Sequence, residues 1–230
     1  VIHEDRVYRD YEDISADKFL EMIHEGATPT SSQPAIGDLI DVFEEDEEEI
    51  LGIFIGDGLS GGYQNAMGAK NSIDDNERIR VIDSKTLAGA EHHLVEKAMR
   101  LKNEGVDISG IEEELLKTVE TSVSFVIPAD FNFLKRSGRL TPLAAKIGAI
   151  IKIVPVLTQT EDGKKITPFT IKRSWKKATE SILEHFKHLG VNEEYRIFIC
   201  HGGDLEAAEG VRVQTEAHFP NVQIEFKSLS

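Results

Sequence analysis

The sequence predicts an α/β protein built from two α/β domains. Three observations carry this. Apolar runs of strand length, "ILGIFI" (50–55), "RIRVID" (78–83) and "SVSFVIP" (122–128), alternate with longer stretches of helical periodicity. Strands separated by helices imply βαβ units and a mostly parallel sheet in the first domain. After Pro128 the texture changes to short helices, a hairpin and a second strand–helix series. The division is placed at 1–126 and 127–230, and a chain of 230 residues can bury a core in each part.

Taken in order, the first 27 residues are polar and mixed, with one amphipathic piece, "SADKFLEMIHEG". Ser15 is its expected N-cap and Gly26 its stop. The cluster "TPTSSQP" reads as a loop, and a short helix is expected from Ile36. "EEDEEE" (44–49) is a solvated charge run. The strand at 50–55 is followed by a helix over 61–72, a second strand ending at Asp83, and a long helix stopped by Gly105. "DISGIEEELLKTVET" is a further helix, and "SVSFVIP" a third strand. Beyond it, "DFNFLKRSGRLTPLAAKIGAI" reads as two short helices around a Ser-Gly-Arg break. "IKIVPVLT" and "KKITPFTIK" flank the turn signal "EDGK" and read as a hairpin. An amphipathic helix, the strand "YRIFICH", a helix from about Asp204 and the strand "NVQIEFKS" complete the series.

Acidic residues outnumber basic ones, 41 to 26, for a net charge of −15. A surface of that sign repels polyanions, so nucleic acid is not an expected partner. The single cysteine, Cys200, lies in an apolar strand and reads as a core residue in a reducing compartment. The location expected is the cytoplasm. No stretch has the length or apolarity of a membrane span, so no stable membrane insertion is expected. No cysteine–histidine cluster has metal-site spacing, and no metal or cofactor is expected.

The segment "FIGDGLSGGY" (54–63) satisfies two patterns at once. Gly56, Gly58 and Gly61 spell the dinucleotide fingerprint G-x-G-x-x-G, with Asp83 at the end of the next strand as a candidate ribose acceptor. Gly58, Ser60 and Gly62 spell the nucleophile elbow G-x-S-x-G, which would make Ser60 the nucleophile of a serine hydrolase, with His185, His188, His201 and His218 following it. A further reading needs no chemistry. A helix N-terminus with a free hydroxyl receives an anion such as a carboxylate.

Several segments together resemble the DegV family of bacterial fatty-acid-binding proteins. "SSQPA" (31–35) resembles its Thr-Ser-Gln-Pro-Ser loop, and "GLSGGYQNA" (58–66) its Gly-Leu-Ser-Gly-Thr-Tyr-Gln-Ser-Ala turn. "VIDSKTLAGAEHHLVEKAMRLKNEG", "FLKRSGRL", "IIKIVPVL" and "IKRSWKKA" resemble further family segments in the same order. The resemblance implies a two-domain carrier, not an enzyme, that binds a long-chain fatty acid such as palmitate or oleate in the cleft between its domains. It also implies presentation of that acid to a fatty acid kinase for acyl phosphate formation. Carried over, Ser31 and Ser60 hold the carboxylate, with Ser32 and the N–H of Gly61 beside them; Arg173 lies near the head group or the kinase-facing surface, and Arg139 is structural or ligand-near. Ile147, Ile150, Ile151, Ile153, Phe125 and Phe131 are candidates to line the acyl tail.

Departures from the family pattern are specific. Ser31 stands for a threonine, Ala35 for a serine, Gly62 for a threonine, and Gly56-Asp57 for two serines. Asp57 adds negative charge beside a proposed carboxylate site. The family's opening strand with its Asp-Ser turn, and its closing His-Thr-Gly-Pro-Gly segment, have no counterpart here. The first domain is therefore expected to lack its first strand and the second its last segment.

Overall fold

A computed structural model of the chain describes residues 1–9, 12–45, 48–147 and 153–229. It opens with a small antiparallel hairpin, β1 (Ile2–His3) and β2 (Arg6–Val7), with Glu4 at φ 50° in its turn. α1 (Ala16–His24) is capped by the Ser15 hydroxyl, which accepts from the Lys18 N–H, and is ended by Gly26 at φ 98°. α2 (Ile36–Glu45), β3 (Ile50–Phe54), α3 (Gly62–Asn71) and β4 (Ile79–Asp83) follow. Then come α4 (Ala88–Asn103) and α5 (Ile108–Thr121), the latter capped by Asp107. β5 (Phe125–Val126), α6 (Phe131–Arg136), α7 (Pro142–Ala145), β6 (Val154–Gln159) and β7 (Ile166–Lys172) form the middle of the chain. α8 (Trp175–His188), β8 (Arg196–His201), α9 (Leu205–His218) and β9 (Gln223–Ser228) end it.

The chain forms two compact units. One comprises Gln33–Ser124 and Thr158–Thr167; the other comprises Val1–Ser32, Phe125–Leu157 and the chain from Pro168 onward. This differs from a single linear cut near residue 126 in two places. The first 32 residues go with the second half of the chain, where the Leu20 side chain lies 3.1 Å from where a Cβ on Gly203 would stand. The tip of the β6–β7 hairpin goes with the first half, because its backbone lies against the backbone around Gly56 and Lys85.

In the Gln33–Ser124 unit, β3 and β4 pair in parallel with Ile50 opposite Ile79 and Phe54 opposite Asp83. Side chains alternate between two faces, as a strand requires. Leu51, Ile53 and Ile82 pack with Leu94 and Leu101 of α4 and Ile111, Leu115 and Val119 of α5. Ile50, Phe54, Ile79 and Val81 pack with Phe43 of α2 and Ala66 and Ala69 of α3. The small Ala66 and Ala69, both fully buried, let α3 approach the strands closely. Helices on both faces of parallel strands are the expected α/β arrangement.

The other unit repeats the theme. β8 and β9 pair in parallel, and Leu183 of α8, Ile197, Ile199, Phe219 and Val222 form its core. The Phe125 ring packs edge-on against Phe169, His185 and Phe186, with centroids 4.9, 5.7 and 5.7 Å away. That places one candidate tail-lining residue within an aromatic cluster.

Two local expectations are modified. β1 and β2 occupy a stretch without a strand pattern, since two-residue strands are too short to show alternation. The third expected strand reduces to Phe125–Val126, and Pro128 offers no N–H to prolong it. Among the described residues no helix is long and apolar enough to cross a membrane.

Leu115 is fully buried between α5 and the strands. Leu115→Ala is expected to cost roughly 3 kcal/mol through lost burial and the cavity left behind. Urea unfolding checks this; a loss below about 1 kcal/mol would show that the site collapses or is not core.

Candidate functional site

β3 ends at Phe54 and the chain turns through Gly56–Gly61 into α3. The Gly56 N–H donates to the Thr86 carbonyl at 2.9 Å, and the Leu59 and Ser60 N–H groups both reach back to the Gly56 carbonyl. Gly58 sits at φ 89°, a left-handed conformation that side chains other than glycine rarely adopt. The Ser60 Oγ accepts from the Gly62 N–H at 3.2 Å. One lone pair is thereby anchored, and the hydroxyl proton remains available for donation to a ligand. The first-turn N–H groups of Tyr63 and Gln64 have no intrahelical acceptor, which leaves the positive end of α3 open.

The "SSQPA" loop reaches this turn through two residues. The Gln33 side chain lies 2.9 Å from where a Cβ on Gly61 would stand, and the Asn65 Nδ2 donates to the Pro34 carbonyl at 2.7 Å. Gln33 and Asn65 thus shape the site, although they were not among the expected site residues. Both lie inside the two quoted motifs, but nothing in the spacing says that the motifs meet.

The hairpin tip covers the other side of the turn. A Cβ on Gly58 would stand 2.8 Å from the Lys164 carbonyl, and one on Gly56 would stand 3.3 Å from the Gly163 carbonyl. The Gln159 Nε2 donates to the Lys85 carbonyl at 2.8 Å. The Lys164 Nζ pairs with the Asp57 Oδ2 at 3.0 Å. Its hydrogen bond to Asp57, then the charge of Asp57, hold the Lys164 ammonium above the usual lysine range.

The remaining expected site residues fall as follows. Ser31 and Ser32 are exposed, and neither hydroxyl has a hydrogen-bond partner among the described residues. They do not cap α2, which starts at Ile36 with the Ala35 carbonyl accepting from the Leu39 N–H. Arg173 is exposed just before Ser174, the N-cap of α8. Arg139 is half-buried, and its Nη1 donates to the Ser137 carbonyl at 2.6 Å, at the C-terminal end of α6. Ile147 is buried, Phe131 and Ile153 are half-buried, and Ile150 and Ile151 lie outside the described residues.

The two enzyme patterns find little support in this geometry. The Asp83 Oδ1 accepts from the Asp57 and Lys85 N–H groups at 3.0 and 2.9 Å, so this carboxylate braces the turn. Ser60 is not among the residues at positive φ, and therefore lacks that form of backbone strain. The His201 Nδ1, where a triad's orienting acid would bind, is buried without a hydrogen-bond partner among the described residues. The His218 Nδ1 is bonded to the Gln214 carbonyl, and His185 packs edge-on against Phe125 and Phe169. A groove of about 440 Å³ beside α8 is lined by Lys172, Lys177, Glu180, Glu184, His185 and His188, among others.

Fold and site together define a two-unit α/β protein with a glycine turn, a hydroxyl and an open helix N-terminus. The chain belongs to the DegV family: the family model, described as "Uncharacterised protein, DegV family", matches residues 1–230. This bears out the resemblance read from the motifs. A DegV domain-containing protein of Listeria monocytogenes is 33% identical over 235 residues, covering 98% of this chain and 81% of that protein. Among solved structures, "Fatty Acid Binding of a DegV family Protein from Thermus thermophilus" is 28% identical with a TM-score of 0.86, covering 99% of this chain and 82% of that one. "DegV, a fatty acid binding protein from Bacillus subtilis" is 27% identical with a TM-score of 0.82 and the same coverages, 99% and 82%. A Streptococcus pneumoniae structure named Fatty Acid Kinase (Fak) B3 protein, loaded with linoleic acid, shares the fold at 23% identity and a TM-score of 0.84, covering 97% of this chain and 80% of that one.

Glu91 lies in the first turn of α4, where burial pushes its carboxyl up to about 7. Its folded value therefore lies above its ordinary value of 4.5, and folding favours the neutral form. The stability this contributes is full below about pH 4.5 and is lost as pH rises through about 7. Glu91→Gln is expected to match the wild type near pH 4.5 and to exceed it near pH 8, by on the order of 1 kcal/mol after allowance for solvent screening. Melting curves at the two pH values check this; a difference that does not change with pH would remove Glu91 as the cause.

Proposed function

We propose that this chain is a cytoplasmic fatty-acid carrier that binds a long-chain acid with its carboxylate on the Ser60 turn, and that it acts without catalysis, metal or cofactor. The observation that carries the reading is the Ser60 hydroxyl. Its lone pair is anchored by the Gly62 N–H, and it stands where α3 leaves its first N–H groups open. Such a site offers hydrogen bonds to an anion, and among the described residues no histidine or carboxylate is hydrogen-bonded to the Ser60 hydroxyl. Ser31 and Ser32 are the further hydroxyl candidates, and the Gly61 N–H is the backbone one. The Thermus thermophilus and Bacillus subtilis relatives, named as fatty-acid-binding proteins at 28% and 27% identity, support a fatty acid as the anion.

The two ends of such a ligand need different surroundings. Burying ~14 methylenes at roughly 0.8 kcal/mol each contributes about 11 kcal/mol before ordering costs, so the tail supplies the affinity. A buried carboxylate must be hydrogen-bonded, so the head group supplies orientation. A carboxylate is also a phosphoryl acceptor for a separate enzyme. Presentation to a fatty acid kinase is the corresponding partner role. The name of the Streptococcus pneumoniae fold relative is in keeping with it. Arg173, exposed before α8, is the candidate contact for that partner.

Ser60→Ala is expected to weaken palmitate or oleate binding by roughly tenfold or more, the worth of one hydrogen bond to a charged group, while the protein stays folded and loses only the roughly 1 kcal/mol of the helix-start bond to the Gly62 N–H. Equilibrium binding and melting curves read this; unchanged affinity removes Ser60 from the site. Organic extraction of the purified protein is expected to yield a long-chain acid. A ligand-free protein that also takes up neither acid would sink the carrier reading, and labelling of Ser60 by a fluorophosphonate would favour a hydrolase.

A further inference from the structure

Asp57 poses a physical problem for any anion bound at the turn. It is joined to Ser60 by a parallel bridge, its side chain is only 13% exposed, and the whole chain carries a net charge of −15. Two other carboxylates nearby are satisfied by backbone groups. Asp83 accepts from the N–H groups of Asp57 and Lys85, and Asp162 accepts from the Lys164 N–H and the Thr160 hydroxyl. The Asp57 carboxylate has one ion-pair partner among the described residues, the Lys164 ammonium at 3.0 Å.

We propose that Lys164 is a specificity-determining residue for anionic ligands: its ammonium neutralises Asp57 and so lets the Ser60 turn accept a carboxylate. The proposal rests on the carrier reading and deepens it. The hairpin is held to the turn without this ion pair. The Gln159 amide donates to the Lys85 carbonyl at 2.8 Å, and backbone packs on backbone at Gly56 and Gly58. Removing the ammonium therefore exposes the charge of Asp57 while leaving the turn in place. A ligand head that is negative is repelled; a neutral head of the same length is not.

The test compares palmitate with 1-hexadecanol, an uncharged probe of the same chain length, on the full chain. Lys164→Met is expected to weaken palmitate about tenfold at low salt and to leave hexadecanol unchanged. The loss is expected to shrink as salt rises. The double variant Asp57→Asn/Lys164→Met is expected to recover palmitate affinity to within about twofold of wild type, because the uncompensated charge is gone. Equal losses for both probes, or a double variant as weak as Lys164→Met, would show a purely structural strap and overturn the proposal. Wild type that binds palmitate as tightly as Lys164→Met overturns this proposal alone. Wild type that binds neither probe overturns the carrier reading, and this proposal with it.

Discussion

The close approach of two backbones organises the candidate site. The β6–β7 hairpin lays the Lys164 carbonyl against Gly58, where a Cβ would stand 2.8 Å away and not fit, and the Gly163 carbonyl against Gly56, where a Cβ at 3.3 Å would be tight. At Gly58, glycine is required by contact as well as by the positive φ. The turn is then braced from β4, through Asp83 and the Thr86 carbonyl. With its base held on two sides, the turn directs Ser60 to the open end of α3. Any change that lifted the hairpin would loosen the serine as well.

That bracing also explains why one short segment satisfied two enzyme patterns. Dinucleotide sites, nucleophile elbows and anion receptors all need a glycine turn between a strand and a helix N-terminus. What separates them is the use made of the surrounding polar groups. Asp83 holds the turn's N–H groups, and Ser60 accepts from Gly62. These bonds brace the turn, and they occupy atoms that the other two chemistries would employ.

Much of the fold was legible because its determinants are local. Ser15 and Gly26 mark the ends of α1, and the structure places a cap and a positive φ at those residues. The alternation along Ile50–Phe54 and Ile79–Asp83 sorts side chains to two helical layers, as a buried parallel strand requires. Less was legible where few residues carry the signal. β1 and β2 have two residues each, below the length at which alternation shows. The division into units escaped a linear reading because Leu20 reaches Gly203 and the hairpin tip reaches Gly58, contacts between segments far apart in the chain.

For the site, the sequence by itself determined the residue types and their order: a glycine turn carrying Ser60, a Ser-Ser-Gln-Pro loop, and motifs in the family's register. Periodicity, capping and turn chemistry act over a few residues, so their traces survive in the linear string. Only the tertiary structure decided that Gln33 lies on Gly61, that Asn65 ties down Pro34, and that Asp57 is paired with Lys164. Read alone, Asp57 is an uncompensated charge that argues against an anion. Its partner comes from a hairpin far along the chain, and the pairing depends on packing that no local spacing records.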